Sequence, residues 1–291
     1  MPELPEVETV RRVLKKKIIG KTIKKVDVFY KGIIESNYND FINNIINQKF
    51  IDINRRGKYL IFELSDYYLV SHLRMEGKFF LKNINEPIEK HEHVIFYLDD
   101  ITLRYHDTRK FGKMDLVTKD KLYMDTPLCN IGIDANSEEL TKDYLKAKIL
   151  RNKPIKSLLL EQDIIAGIGN IYADEILFAS RIHPETLGSK LTDKDLENII
   201  INSKKILDKS IEFGGTTIRS YTSSLGVIGH NQDNLMVHKR EGEECFICKS
   251  KIIKTKVGGR GTYYCPKCQK VKKWLKVFIK RPSFHQIMDM L

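Results

Sequence analysis

Long hydrophobic runs are absent from this sequence of 291 residues. Because a helix needs about 18 or more successive apolar residues to cross a bilayer, no membrane-spanning segment is predicted. The opening, Met1 to Glu6, also lacks the basic and apolar regions of a signal peptide. No internal repeat is evident, and a composition of 42% hydrophobic and 30% charged residues excludes a disordered or collagen-like chain. We therefore expect a folded cytoplasmic protein without a membrane partner.

Cysteine is scarce, and its placement favours a metal site in a reducing compartment over a disulfide framework. Four of the five cysteines form two close pairs near the C-terminus, Cys245 with Cys248 and Cys265 with Cys268. This spacing is typical of a zinc ribbon, in which four thiolates bind one Zn²⁺ and leave no open position for catalysis. The sequence therefore predicts one structural Zn²⁺ per chain. Cys129 stands apart, and we expect it to be a buried or partly buried thiol.

Acidic residues are absent between positions 249 and 282, a stretch that contains twelve Lys or Arg. The whole chain carries a formal net charge of +12, so nearly all of the excess is concentrated here. A solvated basic tail is one interpretation. Basic residues around a metal-binding knuckle more often contact phosphates, which favours a nucleic acid as partner.

Hydrophobic periodicity divides the rest of the chain into regions of different structure. Helical spacing over residues 6–18 is followed by short alternating runs from about 22 to 118, which predict antiparallel strands. Helical spacing returns after about residue 140 and continues to about 213, and residues 214–244 indicate a long loop. The fold class is α+β and multidomain: an antiparallel β-sandwich with flanking helices, a helical domain and a zinc ribbon. The predicted domains are a β-sandwich at 2–130, a hinge at 131–140, a helical domain at 141–240, a ribbon at 241–270 and a basic amphipathic tail at 271–291.

Pro2 and Glu3 form a combination of chemical interest at the N-terminus. Removal of Met1 would leave a secondary amine, whose pKa near 8 keeps a large share of it neutral and nucleophilic. Attack of this amine on a sugar C1′ gives a cationic iminium, and a neighbouring carboxylic acid can protonate the departing ring oxygen. Ahead of a helix, the same two residues are also ordinary capping and dipole residues.

Several motifs, taken together in chain order, give this sequence a family resemblance. It resembles the bacterial formamidopyrimidine-DNA glycosylases over nearly the whole chain to about residue 270. The motifs are Pro2-Glu3-Leu4-Pro5-Glu6-Val7-Glu8-Thr9-Val10-Arg11-Arg12, Arg56-Gly57-Lys58-Tyr59-Leu60, Ser71-His72-Leu73-Arg74-Met75-Glu76-Gly77, Lys90-His91-Glu92-His93, Asp107-Thr108-Arg109-Lys110-Phe111-Gly112, Gly167-Ile168-Gly169-Asn170-Ile171-Tyr172-Ala173-Asp174-Glu175, the four paired cysteines and Gly259-Arg260-Gly261-Thr262.

The resemblance implies a β-sandwich, a helix-two-turns-helix domain and a zinc ribbon, with damaged double-stranded DNA bound between the halves. It implies a monomeric, nucleoid-associated enzyme of base excision repair, both glycosylase and abasic-site lyase. Such an enzyme excises 8-oxoguanine or formamidopyrimidines, then nicks the strand by β- and δ-elimination.

The resemblance also implies roles for individual residues. Pro2 would be the nucleophile, Glu3 the general acid and Lys58 a phosphate contact that assists catalysis. Arg260 would join these catalytic residues, and Glu6 would support the site.

Three further residues resemble the wedge that fills the space left by a flipped nucleotide: Met75, Arg109 and Phe111. Without the resemblance, Met75 and Phe111 would be interpreted as sandwich core and Arg109 as a solvated loop charge.

The remaining DNA contacts implied by the resemblance are Arg109, His91 and a phosphate clamp of Lys156, Asn170 and Arg260. Asn170 is placed at a helix N-terminus, where an anion is favoured, although it is also a candidate N-cap. His72 and His93 could be ordinary core or surface histidines.

The sequence departs from the family in two places. The base-reading loop corresponds to about 216–236, and its second half, from Val227 to Gln232, is unfamiliar. The tail extends beyond the usual end of the ribbon, with Val271, Trp274, Leu275 and Phe278 on one predicted helical face among lysines. Two alternatives therefore stay open: an oxidised-pyrimidine glycosylase of endonuclease VIII type, against which Leu4 argues, and a non-catalytic zinc-ribbon protein that binds damaged DNA.

Overall fold

The first helix, α1 (Leu4–Ile18), begins at a reciprocal cap. Glu3 caps the backbone of Glu6, and the Glu6 side chain accepts a hydrogen bond from the Glu3 N–H at 2.8 Å. Pro5 lies in the first turn, where its missing N–H costs nothing. One face of the helix is buried through the residues that the periodicity predicted, Val7, Val10, Leu14 and Ile18.

The structure is a computed structural model that describes residues 1–216 and 231–270. The predicted tail and residues 217–230 of the base-reading loop lie outside these ranges. The other helices are α2 (Tyr38–Ile45), α3 (Lys142–Ile149), α4 (Ile155–Leu159), α5 (Asn170–Ala179) and α6 (Asp193–Glu212). The strands are β1 (Lys25–Val28), β2 (Phe50–Arg56), β3 (Tyr59–Leu64), β4 (Tyr67–His72), β5 (Lys78–Asn83), β6 (Glu92–Tyr97), β7 (Ile101–His106), β8 (Lys113–Thr118), β9 (Ile133–Asp134), β10 (Ile165–Ala166), β11 (Ile253–Val257) and β12 (Arg260–Tyr264).

The first eight strands form two antiparallel sheets of four strands, in the orders β1-β6-β7-β5 and β2-β3-β4-β8. Alternating side chains from both sheets enter one core, where Phe62 and Phe79 meet edge to face with ring centroids 5.5 Å apart. This is the predicted β-sandwich, and α1 covers it on the side of β2.

A second core lies among helices α3 to α6, and α1 reaches it through its first residue. Leu4 is fully buried there, and its backbone N–H donates to the carbonyl of Gly167 at 3.1 Å. Gly167 has φ +98°, and a Cβ on it would lie 2.4 Å from the Leu4 side chain. The N-terminus of the chain therefore joins the sandwich to the helical domain.

The segment predicted as a hinge also binds both halves. Its strand β9 pairs in parallel with β10, and Asp134 accepts hydrogen bonds from the backbone of Gly57 and from the guanidinium of Arg55, both at 2.7 Å. Arg55 also contacts Glu8 of α1, and the arginines around Glu8 lower the pKa of this carboxyl to about 2 despite its burial.

Strands β11 and β12 form the hairpin of the C-terminal ribbon, with Gly258 and Gly259 at its tip, both at positive φ. The α+β class and the three predicted parts are thus confirmed. Among the described residues, no helix combines the length and apolarity that crossing a membrane requires. The expectation for Cys129 is wrong, because its side chain is exposed in the loop that follows the sandwich.

We expect Leu4→Ala to lower the free energy of unfolding by about 2–5 kcal/mol, because it leaves a cavity where the two cores meet. Urea denaturation measures the change. Ile19→Ala is the control, since Ile19 is 39% exposed and its truncation should cost less than about 0.5 kcal/mol. A loss at Leu4 no larger than that at Ile19 would contradict the joining role.

Candidate active site

The carboxylate of Glu3 lies at the N-terminal turn of α5, although Glu3 itself precedes α1 in the other half of the molecule. Its carboxylate accepts backbone N–H bonds from Gly169 at 2.7 Å, Ile171 at 2.9 Å and Tyr172 at 3.3 Å. The unpaired N–H groups and the dipole of a helix N-terminus favour a negative charge at this position. Burial acts in the opposite direction and raises the pKa of Glu3 above its usual value, because desolvation penalises the charged form.

Gly169 is required for this approach. A Cβ at Gly169 would lie 2.3 Å from the Glu3 carboxyl carbon. Gly169, and not Asn170, is the N-cap residue of α5, so the alternative role of Asn170 as a plain N-cap is wrong. The glycine-rich turn before α5 thus makes room for the Glu3 carboxylate.

Glu6 is fully buried one turn after Glu3 and ties three segments together. Besides the Glu3 N–H, it accepts hydrogen bonds from the Tyr172 hydroxyl at 2.7 Å and from the Thr216 N–H at 2.8 Å. Glu6 therefore holds the turn containing Pro2 and Glu3 against α5 and against Thr216. This contact set is what its predicted supporting role would require.

Lys58 is buried in the β2–β3 turn and donates to the carbonyl of Ile168 at 2.8 Å. Burial lowers the pKa of its ammonium, while the carboxylates of Glu3 and Glu6 act in the opposite direction. Gly57, at φ +55°, permits the turn, and Asp134 binds its N–H. The motif around Lys58 and the segment predicted as a hinge together orient the lysine side chain toward the glycine-rich turn before α5.

Arg260 is exposed at the start of β12, and two side chains hold its hairpin against the helical domain. Asn170 donates to the carbonyl of Gly261 at 3.0 Å, and Lys156 donates to the same carbonyl and to the Thr262 hydroxyl, both at 2.9 Å. The hairpin tip is thus fixed relative to the N-terminus of α5.

Lys156, predicted as part of the phosphate clamp, is buried. Its side chain is inaccessible to solvent and forms an ion pair with Asp174 at 2.7 Å, in addition to its two bonds to the hairpin. A buried ammonium needs such partners, and these bonds attach the hairpin that carries Arg260 to the helical domain. Its contact with a phosphate stays a prediction.

The histidines separate into two environments. His72 is buried, its Nδ1 accepts a hydrogen bond from the Arg74 N–H at 2.9 Å, and burial lowers its pKa to about 3, so it is neutral near pH 7. His91 is only half-buried, at φ +72°, with its ring near those of His93 and His106. His106 is also half-buried, while His93 is buried like His72. The predicted DNA contact of His91 stays a prediction.

The three predicted wedge residues lie on two neighbouring loops, β4–β5 and β7–β8. Met75 is 37% and Phe111 is 47% exposed, so the interpretation of both as sandwich core is wrong. The guanidinium carbon of Arg109 lies 4.7 Å from the centroid of the Phe111 ring, in cation–π geometry.

Three residues that support the site were not predicted individually. Tyr172 binds Glu6, Asp174 binds Lys156 and His238, and Glu175 accepts backbone N–H bonds from residues 236–238. The sequence feature that could have indicated these contacts is the pair of successive acids in the otherwise apolar helix α5, since buried carboxylates require partners.

The four paired cysteines converge at one point. Their sulfur atoms all lie within 4.8 Å of one another, with 3.9 Å between Cys245 and Cys268 and 3.3 Å between Cys248 and Cys265. Sulfurs around a zinc ion with bonds of about 2.3 Å lie roughly 3.8 Å apart, so the donor set fits tetrahedral Zn²⁺. The ribbon binds one structural zinc ion.

Three family models match the chain. They are the formamidopyrimidine-DNA glycosylase N-terminal domain over residues 1–114, the formamidopyrimidine-DNA glycosylase H2TH domain over 131–222, and a zinc finger found in FPG and IleRS over 242–271.

Relatives and solved structures agree with these matches. The formamidopyrimidine-DNA glycosylases of Ligilactobacillus salivarius and Bacillus subtilis are 45% and 44% identical, over 94% of this chain and 100% of theirs. The Lactococcus lactis Fpg in complex with DNA containing an abasic site is 40% identical, with a TM-score of 0.88 over 92% of this chain and 100% of that one. The same enzyme has been solved with DNA containing N7-benzyl-Fapy-dG, with the same identity and TM-score over 93% of this chain. Fold and site thus place the chain among the DNA glycosylases. More narrowly, it belongs to the formamidopyrimidine-DNA glycosylase family.

We expect Cys245→Ser to abolish stoichiometric zinc binding and to lower DNA affinity, because the hairpin that carries Arg260 depends on the metal. Elemental analysis of the purified protein measures the zinc content. Cys129→Ser is the matched control, because Cys129 is exposed and remote from the ribbon, and this variant should retain one zinc per chain. Equal zinc content in the two variants would contradict the assignment.

Proposed function

We propose that this chain is a bifunctional glycosylase and abasic-site lyase that removes oxidised purines, 8-oxoguanine and formamidopyrimidines, from double-stranded DNA. The observation that carries the proposal is the placement of Glu3, whose buried carboxyl, next in sequence to Pro2, is held at the N-terminus of α5, with the buried ammonium of Lys58 near enough to affect its pKa. A non-catalytic binding protein could use Glu3 as a cap that joins the two domains, but it has no need of a carboxyl next to the N-terminal proline.

The chemistry begins with Pro2 once Met1 has been removed. Its nitrogen forms a bond to C1′, the glycosidic bond breaks, and the base leaves with the electron pair and takes up a proton. Glu3 in its acid form donates a proton to the sugar ring oxygen as the ring opens, leaving an iminium at C1′. The raised pKa of Glu3 favours the proton-donating form that this step needs.

The iminium then acts as the electron sink for strand cleavage. Loss of the proton at C2′ expels the 3′ phosphate, and a second elimination expels the 5′ phosphate, which leaves a one-nucleotide gap. Arg260, Lys58 and Asn170 are the proposed contacts to the phosphates, since two cations and an amide at a helix N-terminus suit anionic groups.

Access to C1′ requires the damaged nucleotide to leave the stack. We assign the wedge to Met75, Arg109 and Phe111, because the exposed apolar groups suit insertion between bases and the guanidinium suits an orphaned cytosine. His91 extends the same surface toward the DNA backbone. We also propose action as a monomer on DNA in the bacterial cytoplasm.

Borohydride trapping tests the nucleophile. Protein beginning at Pro2 should form a covalent adduct with duplex DNA containing 8-oxoguanine opposite cytosine, and peptide mass spectrometry should locate it on Pro2. The same protein with an uncleaved N-terminal tag is the matched control and should give none. Absence of an adduct from untagged protein, or equal adduct from both, would refute the proposal.

Glu3→Gln should lower base excision by at least about 100-fold, since it removes the acid and keeps the shape of the side chain. Cleavage at a pre-formed abasic site should fall much less, because that sugar already opens to an aldehyde without loss of a base. Single-turnover assays on the two substrates measure both, with Glu63→Gln on strand β3 as control. Equal losses on both substrates would contradict the role of acid at the excision step.

Side-by-side excision of 8-oxoguanine and an oxidised pyrimidine separates this proposal from an endonuclease VIII type of activity. Leu4 favours the purine lesion. A clear preference for the oxidised pyrimidine would refute the proposed substrate class and favour an endonuclease VIII type of activity.

A further inference from the structure

Two loops, residues 73–77 and 107–112, carry the proposed wedge and meet at one buried hydroxyl, that of Tyr105. A Cβ added to Gly77 would lie 2.1 Å from Tyr105 Oη, and one added to Gly112 would lie 1.6 Å from it. Both loops therefore need glycine here so that they can close over the phenol. The Glu76 carboxylate also accepts a hydrogen bond from the Thr108 hydroxyl, which links the two loops directly.

Asp107 organises the second loop from within. It is fully buried, and its Oδ1 accepts the Arg109 N–H at 2.9 Å. Its Oδ2 accepts the N–H groups of Phe111 at 2.9 Å and Gly112 at 2.8 Å, and the Tyr105 hydroxyl at 3.4 Å. One carboxylate thus binds the backbone of two of the three wedge residues.

The backbone of Asp107 extends this arrangement to the next strand. Its N–H donates to the carbonyl of His91 at 3.0 Å, and its own carbonyl lies 2.9 Å from Nε2 of His93. The residue therefore connects the wedge loop to the segment of the other proposed DNA contact, His91.

Insertion between stacked bases disrupts stacking, so a wedge that is ordered in advance avoids an additional entropic cost during insertion. The exposed side chains of Arg109 and Phe111 have few other restraints among the described residues beyond their mutual cation–π contact. Their backbone geometry depends on the hydrogen bonds to Asp107.

We propose that Asp107 is a positioning residue for base flipping, which holds Arg109 and Phe111 in the conformation that enters the duplex. The inference rests on the proposed function. It goes beyond the wedge itself, because Asp107 acts through other residues and touches no reacting atom.

Asp107→Asn tests the proposal, because it keeps the volume but turns an NH₂ group toward N–H donors. We expect excision of 8-oxoguanine from duplex DNA to fall roughly 10- to 100-fold, as for a misplaced positioning group. Cleavage of an abasic site in single-stranded DNA, where no base needs to be flipped, should change less than about twofold. Asp27→Asn is the matched control: Asp27 accepts a hydrogen bond from Tyr97 at 2.8 Å in the same sheet, away from both loops, and its loss should leave both activities unchanged.

A double-mutant cycle distinguishes positioning from general destabilisation. In a background with both Arg109→Ala and Phe111→Ala, Asp107→Asn should have much less than its full effect on duplex excision, because both side chains through which it acts are gone. Tyr105→Phe, a milder change, should lower duplex excision by about 2- to 10-fold, the loss expected for one hydrogen bond.

Equal losses on duplex and single-stranded substrates, or full additivity with the Arg109→Ala and Phe111→Ala pair, would overturn the inference. Unchanged duplex excision in Asp107→Asn would overturn it as well. Failure of the wild-type protein to excise 8-oxoguanine would refute the proposed function, which is a separate result from any difference between the variants.

Discussion

The capping of α5 by the carboxylate of Glu3 is the interaction on which the rest of the molecule depends. Glu3 and the segment 169–172 are far apart in sequence and belong to different domains. The Glu3 carboxylate nevertheless accepts hydrogen bonds from three N–H groups of that segment. A helix N-terminus normally recruits a local side chain or a solvent anion. Here the candidate site contains groups from both domains, so its geometry depends on the association of the two domains.

Each of the two domains also contributes a buried lysine near this contact. The sandwich supplies Lys58 through a glycine turn that Asp134 of the connecting segment holds in place. The helical domain supplies Lys156 and Asp174, whose buried ion pair faces the ribbon hairpin. Buried ion pairs seldom add much stability, but they tolerate few alternative arrangements of their partners. Such pairs suit a site in which position matters more than stability.

The sequence predicts those features whose causes are local. Cysteine pairs two residues apart converge without help from the rest of the fold, and the period of α1 follows from the buried residues Val7, Val10, Leu14 and Ile18. The family resemblance extended this to Pro2, Glu3, Lys58 and Arg260, whose types alone are common at helix starts and turns. Their roles remain proposals that the geometry supports.

What could not be predicted depends on contacts between distant segments. Met75 and Phe111 are exposed on loops whose glycines pack closely against Tyr105, and no local pattern of the sequence shows this arrangement. The opposite holds for Lys156. This lysine lies in a polar segment of the sequence, yet its side chain is fully buried once the ribbon hairpin packs against it.

Two buried carboxylates hold the backbone on either side of residues 217–230. Glu6 accepts the Thr216 N–H before them, and Glu175 accepts the N–H groups of residues 236–238, a few positions after them. Both attachments use backbone donors that every residue except proline possesses. They therefore do not depend on which side chains occupy positions 217–230, and that sequence can diverge in the course of evolution while both anchors are kept.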